Sequence, residues 1–178
     1  MTYKITLFSQ ESEDFVLEIM IDADAYFMDL HKLILDSCHY SEGEGHCFLL
    51  CDENWHVSQR ILLHDSGKLG SDEDLFLMED STLGDFIEDE GQRLAYVFDG
   101  VGRRLFLMEL SEVIFGKPQL HPIVSRRHGQ VPVQYWDEVV DEATVKPVPA
   151  VELEEEAESE ESFDENEIDL EGFEIGEE

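Results

Sequence analysis

The stretch from Phe15 to Cys38, FVLEIMIDADAYFMDLHKLILDSC, changes its hydrophobic period partway along. Phe15, Leu17, Ile19 and Ile21 fall on one side of an alternating pattern, as in a strand with one buried face. Beyond the acidic turn, Phe27, Leu30, Ile34, Leu35 and Cys38 recur at i, i+3, i+7, i+8 and i+11, the stripe of an amphipathic helix. Asp22 or Asp24 stands where such a helix needs an N-cap. Upstream, YKITLF alternates in the same way and is joined to the second run by the polar turn SQESED, so the chain opens as a hairpin followed by a helix.

The rest of the first 112 residues continues in short elements. Gly43 and Gly45 punctuate the chain before HCFLLCD, a third strand, and QRILLH reads as a fourth. LFLM after the loop DSGKLGSDED is a short apolar run compatible with strand or buried coil. In DSTLGDFIEDEG, Leu83, Phe86 and Ile87 make a short helical face, with Ser81 or Thr82 as cap and Gly91 as stop. QRLAYVFDG and RRLFLMEL read as a second hairpin about DGVGR. The expected fold is a single α+β domain over residues 1–136. It holds a mixed or mainly antiparallel sheet of about five to six strands packed against two helices, in ββαββ-αββ order. Within it, residues 113–136 are expected as an irregular arm, anchored by Ile114, Phe115, Tyr135 and Trp136.

Charge divides the chain. From Asp137 to Glu178 there are 19 acidic residues against one base, Lys146, which predicts an acidic, disordered tail that solvates the protein. Leu153, Phe163, Ile168, Leu170, Phe173 and Ile175 dot this tract and could dock weakly on a partner. Residues 1–136 are themselves acidic, with 25 acids and ten bases, so a phosphate backbone is repelled at long range. The first ten residues include polar positions where an export signal needs a continuous apolar stretch, and no apolar run approaches the ~20 residues of a membrane span. A cytoplasmic protein with no membrane association is expected, its three cysteines reduced.

Several words of the chain, in their order, resemble the plasmid pRiA4b Orf-three-like family, of the insertion-element passenger protein type. The words are YKITL, DADAYFMDLHKLILDSCHY, GHCFLL, STLGDFI and LAYVFD, and they span about residues 3–110. Leu30 and His31 match the family's Leu-His helix, His46 and Phe48 its His-x-Phe strand, and Thr82, Leu83 and Asp85 its helix of the Thr-Leu-x-Asp type. Where the family continues from a tyrosine strand into an Asp-Phe-Gly-Asp turn and a tryptophan, this chain reads YVFDGVGRRLF and keeps Tyr96 and Asp99. The resemblance implies an α+β fold and a gene-context link to mobile DNA, with no established reaction.

Three constellations invite a functional reading. In CHYSEGEGHC, Cys38, His39, His46 and Cys47 are zinc-type ligands, but each pair is adjacent in sequence. On a strand His46 and Cys47 point to opposite faces, and Cys38 continues the helix stripe, so a joint between elements is preferred over a metal site. No cofactor is expected. Nucleophile frames such as Gly-x-Ser-x-Gly and phosphate-cradling glycine loops are absent from the sequence, which argues against an enzyme. Arg103, Arg104, Lys117, Arg126 and Arg127 reverse the local sign and would form a polyanion-binding patch if the arm crossed the second hairpin. They could equally neutralise neighbouring acids. The reading preferred is a non-enzymatic module that binds another protein, with the acidic tail tuning solubility or access. The alternative is a mobile-element-associated accessory protein that binds DNA through the arginine patch.

Overall fold

The computed structural model describes residues 1–65, 67 and 75–135, so the acidic tail expected over 137–178, and Trp136, lie outside the described residues. The opening hairpin forms as β1 (Thr2–Phe8) and β2 (Val16–Asp22), paired antiparallel from Thr2↔Asp22 to Phe8↔Val16. One helix follows, α1 (Phe27–Cys38), and then the strands β3 (Cys47–Cys51), β4 (Val57–Leu62), β5 (Phe76–Leu77), β6 (Arg93–Asp99), β7 (Arg104–Ile114) and β8 (Ile123–His128). All eight strands belong to one sheet in the order β5-β4-β3-β6-β7-β1-β2-β8, antiparallel throughout except for β4 beside β5. Among the described residues no helix is long and apolar enough to cross a membrane.

This corrects the expectation of a five- to six-stranded sheet against two helices. The segment DSTLGDFIEDEG holds only a three-residue 3-10 turn, Leu83–Asp85. Leu83 and Ile87 are buried as their spacing requires, but the backbone is spent elsewhere. Leu83 and Gly84 donate their amides to the Ala25 and Ala23 carbonyls, and Tyr26 bridges Thr82 in a short antiparallel contact. The Leu83 carbonyl accepts from Phe86 and Ile87, which closes a single turn, and so short a segment gains too few bonds to offset the cost of nucleating a helix. The extra strands are β5, which completes one edge, and β8, which lies within the segment expected as an irregular arm. β8 reads IVSRRH and is mostly exposed, so it is held by the backbone ladder with β2 and leaves no alternating apolar signal.

The alternation of the strands puts most of the apolar residues on the face that α1 covers. Tyr3, Ile5 and Leu7 of β1, Leu17, Ile19 and Ile21 of β2, and Phe106, Met108 and Leu110 of β7 meet Phe27, Leu30 and Ile34 of the helix in one core. Phe27 packs on Phe48 with ring centroids 5.2 Å apart, and Phe98 on Phe106 at 4.6 Å. A smaller cluster on the opposite face gathers Leu49, Cys51, Ala95 and Val97 against Trp55, whose ring is covered by the Arg93 guanidinium 5.1 Å from its centroid. The helix start also differs from expectation. Tyr26 is the N-cap, and Asp29 reaches back to accept its backbone amide at 3.1 Å, so neither Asp22 nor Asp24 caps it.

Between α1 and β3 the chain passes against the β6–β7 turn so closely that no side chain fits. Gly45 has a φ of +80°, and a Cβ on Gly100 would stand 2.7 Å from the Gly45 Cα and 2.8 Å from the Glu44 carbonyl oxygen. A Gly100→Ala substitution must therefore push two backbone segments apart. It is expected to cost about 1–3 kcal/mol, the usual range for overpacking, as a lower urea midpoint with unchanged slope.

Candidate functional site

The polar residues of the core converge where α1, β3 and β6 meet. In the helix, His31 sits within the buried stripe of Phe27, Leu30, Ile34 and Leu35, so its imidazole faces the sheet. On β3 and β6, Phe48 pairs with Tyr96, which puts Phe48 and the preceding His46 on the same face as Leu94, Tyr96 and Phe98. The result is a chain of three side chains, each at most 2% exposed. The Tyr96 hydroxyl lies 2.8 Å from His31 Nδ1 and 3.3 Å from His46 Nδ1.

The hydroxyl has one proton, so it donates to one imidazole and accepts from the other, or accepts from both. In either arrangement the far nitrogens, His31 Nε2 and His46 Nε2, are buried and meet no well-aligned hydrogen-bond partner among the described residues. His31 Nε2 faces Glu42 Oε2 at 3.5 Å, beyond ordinary hydrogen-bond length. Burial pushes His31 below the usual histidine value, with Glu42 opposing the shift and His46 and Lys32 adding to it. It lowers His46 as well, against the Phe98 carbonyl, Glu42 and Asp99. Both rings are therefore neutral at pH 7. Burial also raises the Tyr96 hydroxyl far above its ordinary range, so it remains protonated.

A strap formed by residues 131–135 closes over this site. The Tyr40 hydroxyl donates to the Pro132 carbonyl at 2.6 Å, and the Gln134 side chain brackets Ser41, accepting from its amide at 2.8 Å and donating to its carbonyl at 2.6 Å. Loop 41–46 is thus pinned above the two imidazoles. Glu42 and His64, 3.9 Å apart, stand at its outer side with side chains 53% and 74% exposed.

The zinc-type residues of CHYSEGEGHC are separated. Cys38 is buried in the helix stripe, while His39 is exposed at the helix end with a φ of 58°. His46 faces the core and Cys47 packs with the cluster on the opposite face of the sheet. Burial pushes the Cys38 thiol up to about 12, and Cys47 and Cys51 to about 11. Among the described residues no group of three or more His, Cys, Asp or Glu side chains could hold a metal ion.

The five cations do not form one surface. Arg104 is 8% exposed and works as a tie inside the protein. Its Nε and Nη2 donate to the two carboxylate oxygens of Glu11 at 2.8 and 2.6 Å, its Nη groups donate to the Val133 and Gln134 carbonyls, and it lies over the Phe98 ring. Arg103 occupies the adjoining turn with a φ of 53°. Lys117 is at the far end of β7, where its carbonyl accepts from the Thr2 hydroxyl. That end is about 30 Å away by strand rise over 11 residues. Arg126 and Arg127 are neighbours on β8 and so point to opposite faces, Arg126 toward Glu18 at 3.5 Å and Arg127 toward the side that carries Cys38. Away from these groups, an open depression of about 380 Å³ is lined by Phe76, Leu77, Asp80, Asp85 and Phe86.

No family model matches the chain, and no curated protein does. A solved protein of unknown function from Methanosarcina mazei Go1 is similar in structure, with 17% sequence identity and a TM-score of 0.49 over 71% of this chain and 67% of that one.

Tyr96→Phe deletes the one hydroxyl shared by two buried imidazoles. It should destabilise the protein by about 1–3 kcal/mol in chemical denaturation, the cost of leaving buried polar groups unpaired. The three thiols, all raised by burial, should resist alkylation at pH 8 in the native protein and react in denaturant, as read by mass spectrometry.

Proposed function

We propose that the protein is a non-enzymatic interaction module that binds an extended, acidic segment of another protein along β8. The observation that supports this reading is the position of β8 at the edge of the described sheet, its inner side paired with β2 and its side chains from Ser125 to His128 exposed. An edge strand offers a row of backbone donors and acceptors on which an added strand can form. The charge selects the kind of strand. In a chain of net charge -33, Arg126, Arg127 and His128 follow one another on this edge, and they would repel a second β8 laid against it. Leu120, 86% exposed, and Ile123, 44% exposed, give an apolar foothold at the start of the strand. The acidic stretch 137–178 competes for the same cations and so limits access.

The nucleic-acid reading needed five cations on one surface, and no observation among the described residues favours it. Enzymatic chemistry has no support beyond the neutral, buried His–Tyr–His chain, which lacks a nucleophile held by a base.

Fluorescence anisotropy with a panel of labelled strand-forming peptides, acidic and neutral, tests the proposal. Acidic peptides should bind in a salt-sensitive manner, more tightly to the chain ending at residue 146. Arg126→Glu with Arg127→Glu should weaken them at least tenfold. Absence of binding at low salt, or equal binding by the double variant, would refute it.

A further inference from the structure

We propose that residues 164–176 of this chain, DENEIDLEGFEIG, add to the outer side of β8 as an antiparallel strand, so that the protein carries its own occupant for that edge. The inference rests on the reading of β8 as a strand-accepting edge, and it names the segment that fills the edge, the direction in which it lies and its effect on a partner. β8 ends the described sheet, with β2 on its inner side. The backbone groups of its outer side are the ones a further strand would pair with.

The segment has the pattern of a half-buried strand. Ile168 and Leu170 alternate with Glu167, Asp169 and Glu171, and after a shift of one residue at Gly172, where a bulge fits, Phe173 and Ile175 continue the alternation. Its polarity is the reverse of that of β8. The start of β8 is apolar, with Leu120 and Ile123 exposed, and its end is cationic, with Arg126, Arg127 and His128 exposed. In the segment the acids Asp164, Glu165, Glu167 and Asp169 come first, and Phe173 and Ile175 come last. Laid antiparallel, acids meet cations and apolar side chains meet apolar ones; laid parallel, both matches are lost. Arg126 already faces Glu18 at 3.5 Å, but its side chain is 63% exposed and can serve a second carboxylate. The other apolar word of the tract, Val151 and Leu153 in VELEEE, has its acids after its apolar residues and follows Pro147 and Pro149, so it matches this edge less well.

The path of the chain gives the same direction. His128 pairs with Val16, at the end of the sheet where β1 turns into β2. Arg104 ties residues 133–134 of the strap to that same end, through Glu11 of the β1–β2 turn. The described chain therefore stops, at Tyr135, at the end of the sheet that holds the cations of β8. A segment returning from there enters beside His128 and runs toward Ile123, antiparallel to β8. Residues 136–163 intervene, more than a connection between antiparallel strands needs, and the entropic cost of closing a loop grows slowly with its length. A tethered strand is present at an effective concentration that a free peptide rarely reaches, so an acidic strand of another protein must displace it before it can bind.

The test is NMR of the full chain carrying one nitroxide label, on Ser162→Cys in one sample and on Glu177→Cys in another; burial holds the three native thiols in their unreactive form. The label at 162 should broaden the amides of Arg127 and His128 most strongly, and the label at 177 those of Ile123 and Val124, equally in dilute and concentrated protein. Ile168→Pro with Leu170→Pro keeps every charge but removes backbone donors, and should abolish both effects and speed hydrogen exchange of the β8 amides about tenfold. The proposal fails if neither label reaches β8, if the two patterns are reversed, if the double proline variant behaves as the parent, or if the broadening is lost on dilution. Its failure is distinct from that of the partner reading. Labels that find the segment on β8, while acidic peptides do not bind the chain ending at residue 146, would sink the partner and leave the internal strand; peptides that bind while neither label reaches β8 would do the reverse.

Discussion

The Tyr96 hydroxyl is the contact on which the centre of this protein depends. It stands between two imidazoles contributed by different elements, one from the helix and one from the residue that leads into β3, within reach of the Nδ1 atom of each. Unpaired, each buried polar group would cost about 1–3 kcal/mol, a large share of a typical domain's stability. The hydroxyl thereby fixes how far along the sheet α1 lies and where the loop after it must turn. Because burial holds both histidines below their unfolded values, this contribution is complete above pH ~6.5 and is lost as the pH falls below it, when the unfolded chain takes up protons that the native core refuses.

A second tie works beside the first. Arg104 joins the β1–β2 turn through Glu11 to the strap at residues 133–134, and the strap in turn holds Ser41 and Tyr40 at the end of the helix. The loop above the two histidines is therefore held from both sides, by Gly45 against Gly100 and by Gln134 around Ser41. A charged side chain so deeply engaged contributes to architecture rather than to a surface field. Its removal would leave Glu11 and two carbonyls without their donor.

The hairpin, the helix stripe and the strand faces were legible because hydrophobic periodicity records which side of an element is buried, and each of these elements has one buried side. The second helix was misread for the same reason: Leu83 and Ile87 are buried at helical spacing, yet their segment closes only one short turn, held against Ala23 and Ala25. β8 left no signal because its stability lies in backbone pairing. At the site, His31, His46 and Tyr96 each belonged to a word that resembled the plasmid Orf-three-like family, and the adjacency of His46 and Cys47 was correctly read as placing them on opposite faces. Their meeting was not legible. It depends on the pairing of Phe48 with Tyr96 and on the lie of the helix, which are long-range facts that sequence spacing does not carry. Arg103 and Arg104 looked equivalent on paper, but only Arg104 begins β7 and turns inward.

The central claim is that two neutral imidazoles are locked to one tyrosine hydroxyl in the core. Nitrogen-15 NMR of the histidine rings, combined with detection of the Tyr96 hydroxyl proton, tests it most directly. The account predicts that His31 and His46 are each a neutral tautomer at pH 7 and titrate below the ordinary histidine value, and that the hydroxyl proton is protected from solvent exchange. Titration of either ring at the ordinary histidine value of about 6.5, or a freely exchanging hydroxyl, would contradict it.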